Sequence, residues 1–195
     1  MNSTRILTNQ EIQARGLHPN SSLVKPNKKY KQSYLNAIDN GYIDIFRDTR
    51  ELLEDDNNFD EHINKLNSGF TGDKLCTSQT WWLIDEDKFI GRSRLKNIEL
   101  PENSEKWNHP TIRAQGHIGY KINPAEFGNK YGTLLLSYSI DEVIKQGLSY
   151  IHYAIDLDGI RSQNTTLSCG FSKGESFLAI DNETTYIEFT LNPFK

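Results

Sequence analysis

The spacing of hydrophobic positions changes several times along this chain, and each change predicts an element. The first 21 residues are polar and aperiodic, and a loose arm is expected there. Ser22-Leu23-Val24-Lys25-Pro26 reads as a short first strand that ends at a proline, because proline has no N–H to give to a ladder. From Asn27 onward, Tyr30, Tyr34, Leu35 and Ile38 recur at helical spacing, and Gly41 can close that helix. A second helical region, with Asp48 as its candidate cap, runs unevenly to Leu66. The acidic run Glu54-Asp55-Asp56 inside it reads as a solvated face.

Beyond a glycine-containing loop at 67–72 the period shortens to that of strands. Thr80 to Ile84 and Phe89 to Leu95 are predicted to pair across the turn Asp85-Glu86-Asp87-Lys88. A polar stretch from Asn97 to Gln115 follows, longer than an ordinary connection and for that reason a candidate functional loop. Gly116 to Ile122 is the next strand, and Asn123-Pro124 breaks it. A helix is predicted from Tyr131 or Gly132 to Gln146, with Leu136, Ile140 and Val143 on one face and Gly147 at its C-terminus. Tyr150 to Ile155 is a strand, Gly159 to Ser168 a helix, and residues 177–180 and 185–191 a closing hairpin. This order describes an α/β chain whose open mixed sheet is flanked by helices. With no internal repeat and no linker, residues 22–195 are expected to form one domain behind an N-terminal arm of residues 1–21.

Composition narrows the function classes. The 195 residues are 36% hydrophobic and 25% charged, an ordinary globular balance, and the net charge of −4 disfavours a nucleic-acid binder that works by bulk electrostatics. No apolar run approaches the ~20 residues of a membrane span, and the start carries no apolar secretory segment. Two cysteines, Cys76 and Cys169, make no disulfide framework, so a cytoplasmic location is expected. No histidine or cysteine spacing reads as a metal site.

The segment from Gly116 to Thr133 carries the most chemistry. A strand enters a glycine-containing turn, and the turn opens a helix. Such a turn directs several backbone N–H groups at one point, and the helix dipole adds partial positive charge, which together suit a diphosphate. Gly128 and Gly132 fit neither the P-loop nor the dinucleotide fingerprint, so on spacing alone a plain strand-to-helix connection is the favoured reading.

The same segment resembles the acetyl-CoA-binding motif of the GNAT N-acetyltransferase superfamily, Gln/Arg-x-x-Gly-x-Gly/Ala. Its defined positions fall on Phe127, Lys130 and Gly132. Leu23 to Pro26, Thr80-Trp81-Trp82, Ile90 to Leu95 and Gly116 to Tyr120 resemble, in order and spacing, a bacterial family of predicted acetyltransferases, and the similarity spans roughly residues 22 to 195. Asp158 to Ser162, followed by Cys169-Gly170-Phe171, is similar to the family's Asp-Asn-x-x-Ser and Gly-Phe pair. Four positions depart from that pattern. Phe127 stands for Gln or Arg, Lys130 for the middle glycine, Gly159 for Asn, and Thr166 for the tyrosine that serves many members as general acid.

The resemblance implies a GNAT-like acyl-CoA N-acyltransferase fold, mostly antiparallel, with acetyl-CoA as cofactor. Transfer would proceed by direct attack of a primary amine of a small molecule or peptide on the thioester. Ile122, Phe127, Gly128, Asn129, Lys130, Tyr131, Gly132, Thr133 and Ser162 are the implied cofactor contacts. His117 is the first candidate for a general base, since imidazole titrates near working pH, with a structural histidine as the alternative. Tyr120 is a candidate acid with core packing as its alternative, and it should lie on the opposite face of its strand from His117. Arg94, Trp107 and His109 are candidates for acceptor binding, and Arg94 is explained as well by a solvated sheet face. Cys169 is read as packing. The four departures support a second reading, a CoA-binding or regulatory module without turnover. Edge strands in such sheets are common dimer surfaces, which leaves a homodimer open.

Overall fold

Two antiparallel sheets meet edge to edge in the computed structural model, which describes residues 5–69, 77–97, 110–179 and 183–194. The first contains β1 (Ser21–Val24), β2 (Thr77–Asp85), β3 (Lys88–Asn97) and β4 (Ile118–Ile122), in that order. The second contains β5 (Ile151–Asp156), β6 (Ser172–Leu178) and β7 (Thr185–Leu191), ordered β5-β7-β6. The β2–β3 hairpin forms where the sequence predicts it. Glu86 and Asp87 both have positive φ, 46° and 68°, as a two-residue turn matched to strand twist requires.

Alternation along β2 and β3 makes two cores. Trp82, Ile84 and Phe89 face one side with Tyr30, Tyr34, Tyr42 and Phe59. That side is covered by α2 (Lys31–Asp39), α3 (Arg50–Glu54) and α4 (Asp56–Asn67). Leu83 and Ile90 face the other side, against Leu134 and Leu135 of α6 (Tyr131–Lys145). Leu136, Ile140 and Val143 of α6 continue onto Ile151, Ile155 and Phe189 of the second sheet. One helix therefore lies over the seam between the sheets, and each fully buried aliphatic side chain on it is worth roughly 1.5–3 kcal/mol.

Two local expectations are corrected. Residues 9–17 are not a loose arm but α1 (Asn9–Leu17), whose capping box pairs Thr8 with Glu11. Arg5 bonds Glu11, and Arg5 and Arg15 both reach Asp141 on α6, at 2.9 and 2.5 Å. A weak hydrophobic period concealed this helix, because it is held by ion pairs as much as by its apolar face. Thr49, not Asp48, caps the helix that follows, and Asp48 accepts from His62 Nδ1 at 2.6 Å. The acidic run Glu54-Asp55-Asp56 is exposed as expected, and Asp55 in addition caps α4 through the N–H groups of Asn57 and Asn58.

The polar stretch ends in α5 (Pro110–Gln115), and α7 (Ile160–Ser168) follows β5. Among the described residues no helix is long and apolar enough to cross a membrane. The seam closes at one end only. His117 N–H donates to His152 O at 2.7 Å, and His152 N–H donates to His117 Nδ1 at 2.9 Å. Gly116 allows this approach, since it has φ +54° and a Cβ there would lie 3.0 Å from His152 O. Beyond this junction β4 and β5 form no ladder.

Candidate functional site

Where β4 and β5 part, a cleft of about 1150 Å³ opens between the end of β4, the turn into α6 and the β5–α7 loop. Two features of the local sequence build it. Asn123 caps a 3-10 turn over Pro124–Glu126, and Lys130 then enters the left-handed region at φ 60° to start α6. Lysine offers no acceptor, so α6 has no side-chain cap. The N–H groups of Tyr131, Gly132 and Thr133, which have no intrahelical acceptor, sit on residues that line the cleft.

The second feature is α7. Its N-cap is Gly159, also without a side-chain hydrogen bond, and Ile160, Arg161 and Ser162 line the same cleft. Two uncapped helix N-termini thus face one space, and both dipoles favour an anion there. The Arg161 guanidinium adds a full charge, its Cζ 4.5 Å from the centroid of the half-exposed Phe127 ring.

Deeper in the cleft, three hydroxyls form a chain. Tyr120 Oη lies 3.3 Å from Ser162 Oγ, which lies 3.4 Å from Tyr153 Oη. Burial raises the pKa of Tyr120 and of Tyr153, so both phenols keep their protons at neutral pH. Lys121, the neighbour of Tyr120 on β4, also lines the cleft. Its side chain belongs to the opposite sheet face, with its ammonium 5.9 Å from the Tyr42 ring centroid.

Most of the expected contacts come together here. Tyr120, Ile122, Phe127, Gly128, Lys130, Tyr131, Gly132, Thr133 and Ser162 all line the cleft. The left-handed turn anticipated at Lys130 is present, but its ammonium donates to Gln13 Oε1 at 3.0 Å instead of entering the site.

Three candidates lie elsewhere. Asn129 turns away, and its carbonyl binds His18 Nε2 at 2.7 Å. Arg94 donates from Nε to Ser78 Oγ on β2, outside the cleft lining. His117 is 1% exposed, and its Nδ1 is taken by the His152 N–H, so the structure gives it the architectural role of pinning the seam. Trp107 and His109 lie outside the described residues. Cys169 is buried as expected, with its thiol pushed up to about 12, mainly by burial.

Lys121, Arg161 and the second helix N-terminus join the cleft without having been expected from the sequence. A signal existed at position 159, where glycine in place of Asn leaves the helix start without a side-chain acceptor. Lys121 carried no signal, because its importance comes from what stands opposite it.

The architecture matches several solved structures. Ribosomal L7/L12 α-N-protein acetyltransferase RimL in complex with coenzyme A aligns at a TM-score of 0.61 and 10% identity, over 91% of this chain and 97% of that one. The microcin C7 self-immunity acetyltransferase MccE, in complex with acetyl-CoA and AMP, aligns at 0.59 and 13%, over 90% and 94%. A spermidine N-acetyltransferase SpeG chimera from Vibrio cholerae and hSSAT aligns at 0.55 and 15%, over 89% and 96%. This is the GNAT acetyltransferase fold. At such identities the GNAT likeness is one of architecture, and no family model and no curated protein matches the chain by sequence. In this chain the parted β4 and β5 and the turn into α6 are the features that form the cleft.

Proposed function

We propose that this chain is an acetyl-CoA-dependent N-acetyltransferase that acts on a primary amine of a small molecule or peptide. One observation carries the reading: two uncapped helix N-termini open onto a single cleft beside two parted strands, in a GNAT fold. The residues present fit the cofactor. Backbone N–H groups at 131–133 and at the start of α7, together with Arg161, suit a diphosphate, and about 1150 Å³ accommodates an extended ligand. RimL in complex with coenzyme A and MccE in complex with acetyl-CoA share the fold.

Acetyl-CoA, when bound, supplies an activated acetyl thioester. The chain's own part is to orient two substrates and to manage one proton. Tyr120 holds a proton at Oη on the cleft wall, and we assign it as the donor to the leaving group. Ser162 fixes the direction of that O–H, and Tyr153 backs Ser162 from the second sheet. No histidine among the described residues lines the cleft, so His117 is not carried forward as base. The reducing cytoplasm suits the two-cysteine composition, and a homodimer through an exposed strand edge is part of the same proposal, testable by light scattering.

Titration calorimetry with acetyl-CoA and CoA, followed by thiol release over an amine panel, tests the reading. Saturable binding with amine-dependent thiol release is expected. Absence of heat at millimolar cofactor overturns it, and binding without release across the panel selects the CoA-binding module instead.

A further inference from the structure

We infer that the acceptor carries an anionic oxyacid group, a carboxylate or phosphate, which docks on Lys121 in the cleft wall, on the sheet face of Tyr42. The inference rests on the acetyl-transfer reading only for what that anion is attached to.

The observation begins with strand register. Arg92 on β3 stands directly opposite Lys121 on β4, two like charges in a cross-strand position where they repel. Arg92 is neutralised locally, with its Nε 2.5 Å from Asp44 Oδ1. Asp44 is fully committed in turn, since Tyr34 Oη donates to its Oδ2 at 2.6 Å and Ile45 N–H donates to its Oδ1 at 2.6 Å. Lys121 has no such partner. It forms no ion pair or hydrogen bond with a described residue, although it is partly buried and lines the cleft.

Arg47 adds a third positive charge. It is exposed and held in the left-handed region at φ 54°, an uncommon state for a non-glycine residue, by a turn in which its N–H donates to Asp44 O. Burial lowers the Lys121 pKa first, and Arg92 and then Arg47 lower it further, against Asp44, which raises it. The like charges of Arg92 and Lys121 across the ladder, with Asp44 already occupied, destabilise the free protein and are relieved by a bound anion. The location separates this subsite from the cofactor cradle. Lys121 points to the sheet face of Tyr42 and Asp44, whereas α6 packs on the opposite face.

Matched acceptor pairs test the inference: 4-aminobutyrate against n-butylamine for a carboxylate, and phosphoethanolamine against ethanolamine for a phosphate. The anionic member of at least one pair is expected to have kcat/KM about tenfold higher or more, the scale of a charge-assisted contact. The arm with the larger ratio identifies the group. Lys121→Met should collapse that ratio toward one. Arg47→Ser, at an exposed position, should reduce it without loss of folding. Equal use of both members, or a ratio that survives both substitutions, overturns the inference. If no amine is acetylated, acetyl transfer fails, and calorimetric binding of the two phosphate-pair members decides the subsite alone. Tighter binding of phosphoethanolamine that Lys121→Met abolishes supports it, and equal or absent binding of the pair overturns it.

Discussion

Lys130 occupies a turn whose backbone favours a residue without a Cβ. At φ 60° and ψ 7° it pays the left-handed steric cost, about 1 kcal/mol, and its ammonium donates to Gln13 on α1. Lys130→Gly is therefore expected to stabilise the protein by about 1 kcal/mol in denaturant titration and to leave CoA affinity near wild type. A large loss of affinity would show that the ammonium leaves Gln13 and binds a phosphate. Tyr120 is the residue whose removal should act on rate. Tyr120→Phe keeps the ring and deletes the proton, so kcat is expected to fall about 100-fold with the calorimetric CoA affinity retained. A kcat unchanged in Tyr120→Phe would remove this tyrosine from the mechanism.

At the scale of elements, electrostatics ties pieces that apolar packing alone would leave loose. Glu188 on β7 accepts from Arg113 on α5 at 2.7 Å and pairs with His152 Nδ1 on β5 at 2.9 Å. The bond from His152, with help from Arg113, lowers the Glu188 pKa to about 2, against burial, which raises it. The folded carboxyl thus lies below its ordinary value of 4.5. Its stabilisation is full above about pH 4.5 and disappears as pH falls toward 2. Wild type should consequently exceed Glu188→Gln in stability at pH 7, and the difference should shrink across that acid window. Melting curves at stepped pH would show it, and a constant difference would refute the linkage. At the other end of the chain, Thr8→Ala removes the acceptor of the α1 capping box and should cost about 1 kcal/mol.

For the whole molecule the decisive feature is a seam that is pinned at one end and open at the other. Gly116→Ala would put a Cβ 3.0 Å from His152 O at φ +54°, so a loss of about 2 kcal/mol or more is expected together with weaker CoA binding. Thermal melting and calorimetry measure the two effects, and a fully stable variant would mean that the junction can relax. Much of this architecture was legible in the sequence. The β2–β3 hairpin, the helix from Tyr131, the left-handed C-terminus at Gly147 and the turn into α6 all follow from period, turn residues and the GNAT-like motif. Helix α1 was not legible, because Arg5, Glu11, Arg15 and Asp141 are brought together only by the fold. The site divides in the same way. Local chain order alone determined that residues 127–133 form a glycine-containing turn into a helix, since backbone conformation depends on near neighbours. Tertiary structure alone decided that a second helix start joins it, that His117 pins the seam instead of facing the cleft, and that Lys121 meets Arg92. Those three facts depend on strand register and sheet splay, which bring together residues far apart in the chain and leave no mark on the local pattern.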